Sequence, residues 1–276
     1  MIKNEKLKWI NVLIWLASAG SLILLMILGS KILVEDDLGL FIEFLVITIV
    51  TFIFLYLISG KKTFSYMNNQ TGYTVKMLFP TLIFSIFFGI LGILNLFIDE
   101  YTIIPNWPVT LLLTAANMLM VGFYEEGCFR ACACDALLPL LKKTKHPFLL
   151  TAIISGLLFG YLHVVWVDFS NVQQTLQFVL KITNLLISGG TYMILYWKTR
   201  NLFGLAIVHG LNDFIPDCIN HIVQFKTVDD STSYTTGDVG TTYIYLFQLA
   251  VEVICLIYVY VKVGKTIDYK KTLEEW

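Results

Sequence analysis

Two adjacent glutamates lie in a largely apolar stretch of this sequence, and an arginine follows one helical turn later. Glu125 and Glu126 are neighbours, and Arg130 comes four residues after Glu126. Residues four apart share a helix face, so Glu126 and Arg130 can form an ion pair. Glu125 points about 100° away and is left free. A free carboxylate beside a paired one is suited to act as a general base. The alternative is a solvated ion pair at a helix end.

Two further apolar stretches each carry a histidine. His163 follows Phe159 by four residues and His209 precedes Asp213 by four, so each pair shares a helix face. Asn212 lies close to the face of His209. Each histidine alone could be a packing residue or part of a polar stripe between helices. Together, the imidazoles and their neighbours could position water, bind a metal or donate to an oxyanion.

The composition predicts a protein that crosses a membrane several times. Of the 276 residues, 57% are hydrophobic and 14% are charged, and the mean hydropathy is +0.74. The chain is too apolar to be disordered. Its net charge of −1, without a basic stripe, argues against nucleic-acid binding. The five cysteines all lie in apolar stretches, so no disulfide framework is expected.

Continuous apolar runs predict an all-α bundle of about eight transmembrane helices, because a spanning helix needs about 20 apolar residues. The predicted spans are 10–34, 38–59, 77–98, 107–124, 148–167, 172–197, 202–223 and 242–263. The first resembles a signal peptide at Ala17-Ser18-Ala19, but its apolar residues continue to Val34, so a retained helix is expected. The fourth is expected to continue through 125–141, because no helix breaker precedes Pro139.

The basic residues alternate from one loop to the next. The N-terminus, the second, fourth and sixth loops and the C-terminus hold 15 of the 19 Lys and Arg residues. The remaining loops hold only Lys31 and Lys226. The positive-inside rule therefore predicts that both termini are cytoplasmic.

Lipid does not solvate ionised side chains, so the acids and histidines of three helices must converge on one chamber. We expect that chamber to open toward the cytoplasm. Measured from the predicted cytoplasmic helix ends, His209 lies about 10 Å deep and His163 about 24 Å deep. The two can meet only if the fifth helix starts late or tilts and the fourth helix extends well past Arg130.

The three motifs occur together in a known family. E-E-x-x-x-R, F-x-x-x-H and H-x-x-x-N/D appear in this order at 125–130, 159–163 and 209–213. The set resembles the CPBP intramembrane proteases, also called the Abi or CAAX-protease type II family. That family includes eukaryotic CAAX prenyl endopeptidases and bacterial bacteriocin-immunity proteins. The resemblance covers roughly residues 107–223, a catalytic core within one membrane domain of residues 1–276.

The resemblance implies an endopeptidase that hydrolyses a peptide bond of a membrane-associated peptide or protein. Glu125 would activate water together with His163. Glu126 would pair with Arg130 and shape the site, although the two glutamates could exchange roles. His209 and position 213 would stabilise the oxyanion.

Position 213 is Asp, where many members of the family have Asn. An ionised Asp213 would repel an oxyanion, so it would have to be protonated, orient His209 or bind a cation, and Asn212 could serve instead. The family has been described both as metal-dependent and as glutamate-type. We favour the metal-free mechanism and expect no cofactor, although Glu and two His residues would also suit zinc.

Two other classes of function stay open. The chain could be a non-catalytic membrane partner, such as a bacteriocin-immunity protein with the same fold. It could also be an ion-coupled transporter with a relay through Glu125, Lys181 and Glu252. Lys181 and Glu252 could form a buried ion pair, or each could pair separately with Asp217 or backbone carbonyls. Cys128 is an alternative nucleophile beside His163. The expected location is a bacterial plasma membrane, with the bilayer as a partner.

Overall fold

The structure is a computed structural model that describes residues 5–32, 37–98, 102–164, 167–224 and 234–276. In these ranges 83% of the residues are helical. The α-helices are α1 (Glu5–Ile32), α2 (Asp37–Ser59), α3 (Lys61–Phe64), α4 (Thr71–Leu78), α5 (Leu82–Ile98), α6 (Trp107–Glu126), α7 (Ala133–Leu141), α8 (Pro147–His163), α9 (Val172–Thr199), α10 (Leu202–Asp217), α11 (Val239–Lys262) and α12 (Tyr269–Glu274). A two-residue antiparallel pair joins β1 (Thr102–Ile103) to β2 (Val223–Gln224).

The chain is a multi-pass membrane protein. Within the described residues, six helices are long and apolar enough to span a bilayer: Lys6–Gly29, Leu38–Ser59, Thr71–Leu94, Trp107–Leu141, Val172–Thr199 and Val239–Thr266. The two other predicted spans correspond to α8, of 17 residues, and α10, of 16 residues. These helices are only about 25 Å long, which is short for the hydrocarbon core. The count of eight spans stays a prediction.

One helix runs without a break from Trp107 to Leu141, as the sequence predicts. It consists of α6, a π-helical segment at Gly127–Cys132, and α7. Pro139 lies in the last turn of α7 and does not interrupt the helix. This long helix packs against α1, α2, α8 and α10, so residues near its middle are surrounded by other helices.

The first helix is an integral part of this packing. Trp15, Ser18 and Ala19 of α1 are buried, and the helix continues through the stretch that resembles a cleavage site. The Trp15 indole N–H donates a hydrogen bond to the carbonyl oxygen of Cys128, at 3.1 Å. The predicted retained helix is therefore part of the fold.

The lysine-rich segments lie together at one end of the bundle. Lys62 donates to the carbonyl of Glu275, Lys198 donates to that of Thr266, and the Trp276 indole donates to Asp135. These contacts join the second, fourth and sixth predicted loops to the C-terminus. The β1–β2 pair joins the third and seventh loops. These loops thus fall into the two groups that the charge pattern predicts. The side of the membrane that each end of the bundle occupies stays a prediction. Lys3 and Lys226 lie outside the described residues.

The last membrane helix begins at a well-formed cap. The Asp238 carboxylate accepts hydrogen bonds from the Thr241 backbone N–H, at 2.7 Å, and from the hydroxyls of Thr236 and Thr241. These hydrogen bonds lower the pKa of Asp238 to about 2. A carboxylate at this position also interacts favourably with the helix dipole.

Candidate active site

The π-helical segment carries the first motif at the centre of the bundle. In a π-helix each N–H bonds the carbonyl five residues earlier, which widens the turn. Two carbonyls of this segment accept side-chain hydrogen bonds from other helices. Cys128 accepts from Trp15 of α1, and Phe129 accepts from the Ser155 hydroxyl of α8, at 2.5 Å. These two contacts hold the segment, and therefore the glutamates next to it, against neighbouring helices.

Glu126 is fully buried between two basic groups. One carboxylate oxygen lies 3.1 Å from Nε of Arg130, and the other lies 2.7 Å from Nδ1 of His209. The Arg130 guanidinium also lies over the Phe159 ring, 4.9 Å from its centroid. A Cβ on Gly189 would lie 3.5 Å from the guanidinium, so this glycine leaves room for Arg130. The predicted Glu126–Arg130 pair is present, and both of its members are buried rather than solvated.

Glu125 faces both imidazoles. Its two carboxylate oxygens lie 3.2 Å from Nε2 of His209 and 3.6 Å from Nε2 of His163. The His163 Nδ1–H donates to the carbonyl oxygen of Phe159, at 2.8 Å, which leaves Nε2 of the neutral ring as an acceptor. Glu125 and His163 thus present two proton-accepting atoms to the same small space.

His209 is surrounded by carboxylates on three sides. Besides Glu126 at Nδ1 and Glu125 at Nε2, an Asp213 oxygen lies 3.3 Å from Nε2. Ionised carboxylates only accept hydrogen bonds, so both ring nitrogens of His209 must carry hydrogen to satisfy them. With His209 and Arg130 positive, the three carboxylates leave one formal negative charge. Uptake of one proton would therefore make the cluster neutral.

Small residues allow the helices that carry these groups to approach closely. A Cβ on Gly122 of α6 would lie 2.3 Å from the carbonyl oxygen of Ala206 of α10. A Cβ on Gly210 of α10 would lie 2.7 Å from the carbonyl oxygen of Met118. Gly156 likewise lets α8 approach α9 closely, because a Cβ at this position would lie 2.6 Å from Leu186 of α9. This is the small-residue packing typical of membrane helices.

His163 and His209 meet in the structure, although counting from the helix ends placed them at different depths. Leu202, Gly204 and Leu205 in the first turn of α10 are buried, and the N–H of Leu202 donates to the carbonyl oxygen of Met67, at 2.9 Å. The helix therefore begins beneath a covering layer, and His209 lies deeper than a count from the membrane surface predicts. The expected extension of the fourth helix past Arg130 is confirmed. The fifth helix does not start late, since α8 begins at Pro147, and the alternative that this helix tilts stays a prediction.

The exposed members of the cluster point away from the lysine-rich end. The Asp213 and His163 side chains are 40% and 21% exposed, whereas Glu126 is fully buried. His163 is the last residue of α8, and Asp213 lies in the second half of α10. Both helices start at the lysine-rich end. Among the described residues, the more accessible side of the site is thus opposite to that end, which differs from the predicted access from the cytoplasm.

Asn212 has a structural role in this arrangement. Its amide NH₂ donates to the Tyr192 hydroxyl, at 2.9 Å, and to the Thr81 hydroxyl, at 3.3 Å. Its carbonyl oxygen accepts from the Ser85 hydroxyl, at 3.0 Å. Because its polar atoms are occupied, Asn212 is a poor alternative to Asp213 as an oxyanion donor. It instead joins α10 to α5 and α9.

Two other sequence hypotheses find no support. The Lys181 ammonium lies over the rings of Tyr234 and Tyr245, at 4.3 and 5.6 Å, and among the described residues it forms no ion pair with Glu252 within 4 Å. The predicted Lys181–Glu252 ion pair is therefore wrong. The transporter relay consequently lacks a direct contact between these two residues. The Cys128 thiol lies beside Ser18 of α1, so it faces α1 rather than His163.

Trp15, Ser155 and Tyr192 support the site and were not found in the sequence. Ser155 could have been identified, because Ser155, Phe159 and His163 follow one another at four-residue intervals on one face of α8. Trp15 has no comparable signal, since it lies 113 residues from its partner Cys128. Tyr192 also has none, although its ring lies 6.0 Å from that of His209.

The candidate site does not form a ready set of metal ligands. Across the described part of the chain, no group of three or more His, Cys, Asp or Glu side chains has a geometry that could hold a metal ion. Both nitrogens of His209 already face carboxylates, and Nδ1 of His163 bonds a backbone carbonyl.

Residues 105–215 match the sequence model of the Rce1-like family, described as type II CAAX prenyl endopeptidase Rce1-like. The match includes all six of the site residues that the sequence singles out: Glu125, Glu126, Arg130, His163, His209 and Asp213. It confirms the resemblance to the CAAX-protease type II family. It supports a protease activity in general terms. No curated protein and no solved structure matches the chain.

Proposed function

We propose that the protein is an intramembrane endopeptidase that hydrolyses a peptide bond with a water activated by Glu125 and His163. One observation carries the proposal: the Glu125 carboxylate lies within 3.6 Å of imidazole nitrogens from two different helices. Burying such groups in a membrane is costly unless they are used or mutually satisfied. The family match over the same residues makes peptide hydrolysis the preferred use.

In the proposed reaction, a water molecule lies beside Glu125 and Nε2 of His163. These two acceptors take its proton as the water oxygen attacks the carbonyl carbon of the scissile bond. The C=O bond opens to an oxyanion. When the C–N bond then breaks, the same proton passes to the leaving nitrogen. One water is consumed, and a carboxylate and an amine are released.

His209 supplies positive charge where the oxyanion forms. Its doubly protonated ring is held by Glu126 at Nδ1, and Nε2–H lies on the Glu125 side of the cluster. A preorganised positive charge in a poorly solvated site stabilises a developing negative charge strongly. In this scheme Asp213 accepts a hydrogen bond from Nε2 of His209, so it orients the ring rather than donating to the oxyanion.

The proposed substrate is a membrane-associated peptide or protein, and a tail that ends in a lipid-modified C-a-a-X sequence is the first candidate. The family match names CAAX prenyl endopeptidases, and such tails carry a prenylated cysteine four residues from the end. We further propose that both termini are cytoplasmic and that the membrane is a bacterial plasma membrane. The first part follows from the distribution of lysines.

A cleavage assay in liposomes tests the proposal. The full chain is reconstituted with three peptides: a farnesylated C-a-a-X peptide, the same peptide without its lipid, and an unrelated transmembrane peptide. Cleavage is followed by mass spectrometry for the native chain and for Glu125→Gln, His163→Asn and His209→Gln. The matched control is Glu252→Gln, which changes a buried carboxylate of α11 that contacts none of the six site residues.

We expect cleavage by the native chain and by Glu252→Gln, and a loss of at least about 100-fold in each site variant. Equal rates in Glu125→Gln and in the native chain would refute the mechanism. If the native chain cleaves none of the peptides while its biological effect survives in Glu125→Gln, the non-catalytic membrane partner is the better explanation. Addition of a chelator separates metal-dependent from metal-free hydrolysis.

A further inference from the structure

A large groove lies at the lysine-rich end of the bundle, outside the candidate active site. Its volume is about 820 Å³. Its floor is the second half of α9, including Ile194 and Trp197, and its walls are Ile153 of α8 and Leu256 of α11. Leu273 of α12 closes one end. The groove lies between α8 and α11, which both pack on α9.

Gly190 leaves part of the floor open. A Cβ at this position would meet only Leu256, at 3.9 Å, which is an ordinary van der Waals distance. Gly156 of α8 differs, because a Cβ there would collide with Leu186 of α9. Helix packing therefore requires Gly156 but not Gly190. The glycine at 190 contributes empty space, and a larger side chain would enter the groove.

The rim of the groove is positively charged. Lys142 and Lys145 lie on one side and Lys270 lies on the other, and all three are exposed. No Asp or Glu lines the groove. Among the described residues, no carboxylate lies within ion-pair distance of these three lysines. Three ammonium groups without a bound counter-charge thus surround the entrance to an apolar trough.

The groove opens sideways to the membrane. Leu149 and Tyr260, which line the groove, are exposed, as expected for residues that contact acyl chains. An occupant can therefore enter from the bilayer. Basic pockets between membrane helices bind the anionic head groups of lipids.

We propose that this groove binds one anionic phospholipid. The phosphate would lie between the lysines of the rim, and an acyl chain would lie along α9 over Gly190. The rim of the groove is separate from the active site, because Phe148 at the rim and His163 lie at opposite ends of α8, about 22 Å apart. The inner end of the groove reaches Gly190, whose neighbour Gly189 faces Arg130. The proposal does not depend on the proteolytic function.

Native mass spectrometry of the full chain in detergent tests this proposal. Phosphatidylglycerol and phosphatidylcholine with identical acyl chains are titrated separately, and the fraction of protein that retains one lipid is measured. The test variant is Lys142→Gln/Lys145→Gln/Lys270→Gln. The matched control is Lys61→Gln/Lys76→Gln/Lys265→Gln, which removes the same charge from exposed lysines that do not line the groove. Gly190→Phe fills the floor without changing the charge.

We expect the native chain to bind phosphatidylglycerol at least about tenfold more tightly than phosphatidylcholine. The test variant should lose this preference and the control should keep it. Gly190→Phe should lose the retained lipid while its unfolding temperature without lipid stays near that of the native chain. Soluble glycerol phosphate at equal concentration should not compete, because it has no acyl chain.

Several results would overturn the proposal. These are equal affinity for the two lipids, an equal loss in the test and control variants, full retention by Gly190→Phe, or competition by glycerol phosphate. The last result would indicate an anion site without a place for acyl chains.

Discussion

Nδ1 of His209 lies 2.7 Å from a carboxylate oxygen of Glu126, and this contact distinguishes two adjacent glutamates. The other oxygen of Glu126 is paired with Arg130, so the carboxylate has a basic partner at each end. Within the described residues, Glu125 has no such pairing with an arginine or lysine, and it faces the two histidines. Glu126 is therefore expected to position His209 and to neutralise Arg130, while Glu125 is expected to handle the proton.

The first prediction distinguishes the roles of Glu126 and Glu125 by their effects on stability. Glu126→Ala leaves Arg130 buried without its partner, and breaking a buried ion pair in this way costs about 3–5 kcal/mol. Glu125→Gln keeps the size of the side chain and should unfold near the native temperature while losing cleavage. Unfolding in detergent and the liposome cleavage assay measure the two properties.

The double variant Glu126→Leu/Arg130→Met is the control for this prediction. It removes both charges, so it should recover most of the stability that Glu126→Ala loses, because apolar replacement of a buried pair is often neutral. It should not recover cleavage, since His209 still lacks its Nδ1 partner. Equal unfolding of Glu126→Ala and the double variant would contradict the buried ion pair.

The second prediction concerns the aspartate at position 213. Asp213 accepts from Nε2 of His209, and an asparagine carbonyl can accept the same hydrogen bond. Asp213→Asn also removes a negative charge close to the developing oxyanion. We expect Asp213→Asn to cleave within about tenfold of the native rate, and Asp213→Leu, which lacks the acceptor, to lose about 100-fold. Equal rates for the Asn and Leu variants would show that Asp213 does not orient His209.

The third prediction tests the close approach of α6 and α10. A Cβ on Gly122 would lie 2.3 Å from the backbone oxygen of Ala206, so Gly122→Ala must separate the two helices. Overpacking of this kind typically costs about 1–3 kcal/mol. Because His209 and Glu126 are on these two helices, cleavage should fall together with stability. Gly20→Ala is the control, since nothing lies within 4 Å of a Cβ there. It should leave both properties unchanged, and equal effects of the two substitutions would contradict the packing argument.

The sequence predicts that the site residues converge, because lipid does not solvate ionised side chains and they must therefore contact one another. Glu125, Glu126 and His209 are spaced for helix faces that must meet, and in the structure they do. Local spacing also predicts the Glu126–Arg130 pair. These predictions need only helix periodicity and the cost of charge in hydrocarbon.

Contacts between distant segments could not be predicted in this way. The Trp15–Cys128 hydrogen bond joins residues 113 positions apart, and helix periodicity carries no information about such a pair. Lys181 was expected to pair with Glu252 because both lie at mid-membrane depth, yet the packing of residues 234–245 places two tyrosine rings over its ammonium. Depth along a helix does not determine the direction in which the helix faces.

The last prediction concerns pH and the start of α11. The folded-state pKa of Asp238, about 2, is below its ordinary value of 3.8, because three hydrogen bonds favour the ionised form. A group whose pKa is lowered on folding stabilises the fold above its unfolded pKa. That contribution is lost as the pH falls from about 4 toward 2. Asp238→Asn keeps a cap but has no charge to lose.

The native chain should therefore have a higher unfolding temperature than Asp238→Asn between pH 6 and 8, and the difference should be constant over that range. The difference should shrink below about pH 4 and be mostly lost near pH 2, where about half of the native Asp238 carboxylates are protonated. Other carboxylates titrate in both proteins, so comparing the two at each pH isolates Asp238. A difference that stays constant from pH 6 to pH 2.5 would show that the cap stabilises α11 without its charge.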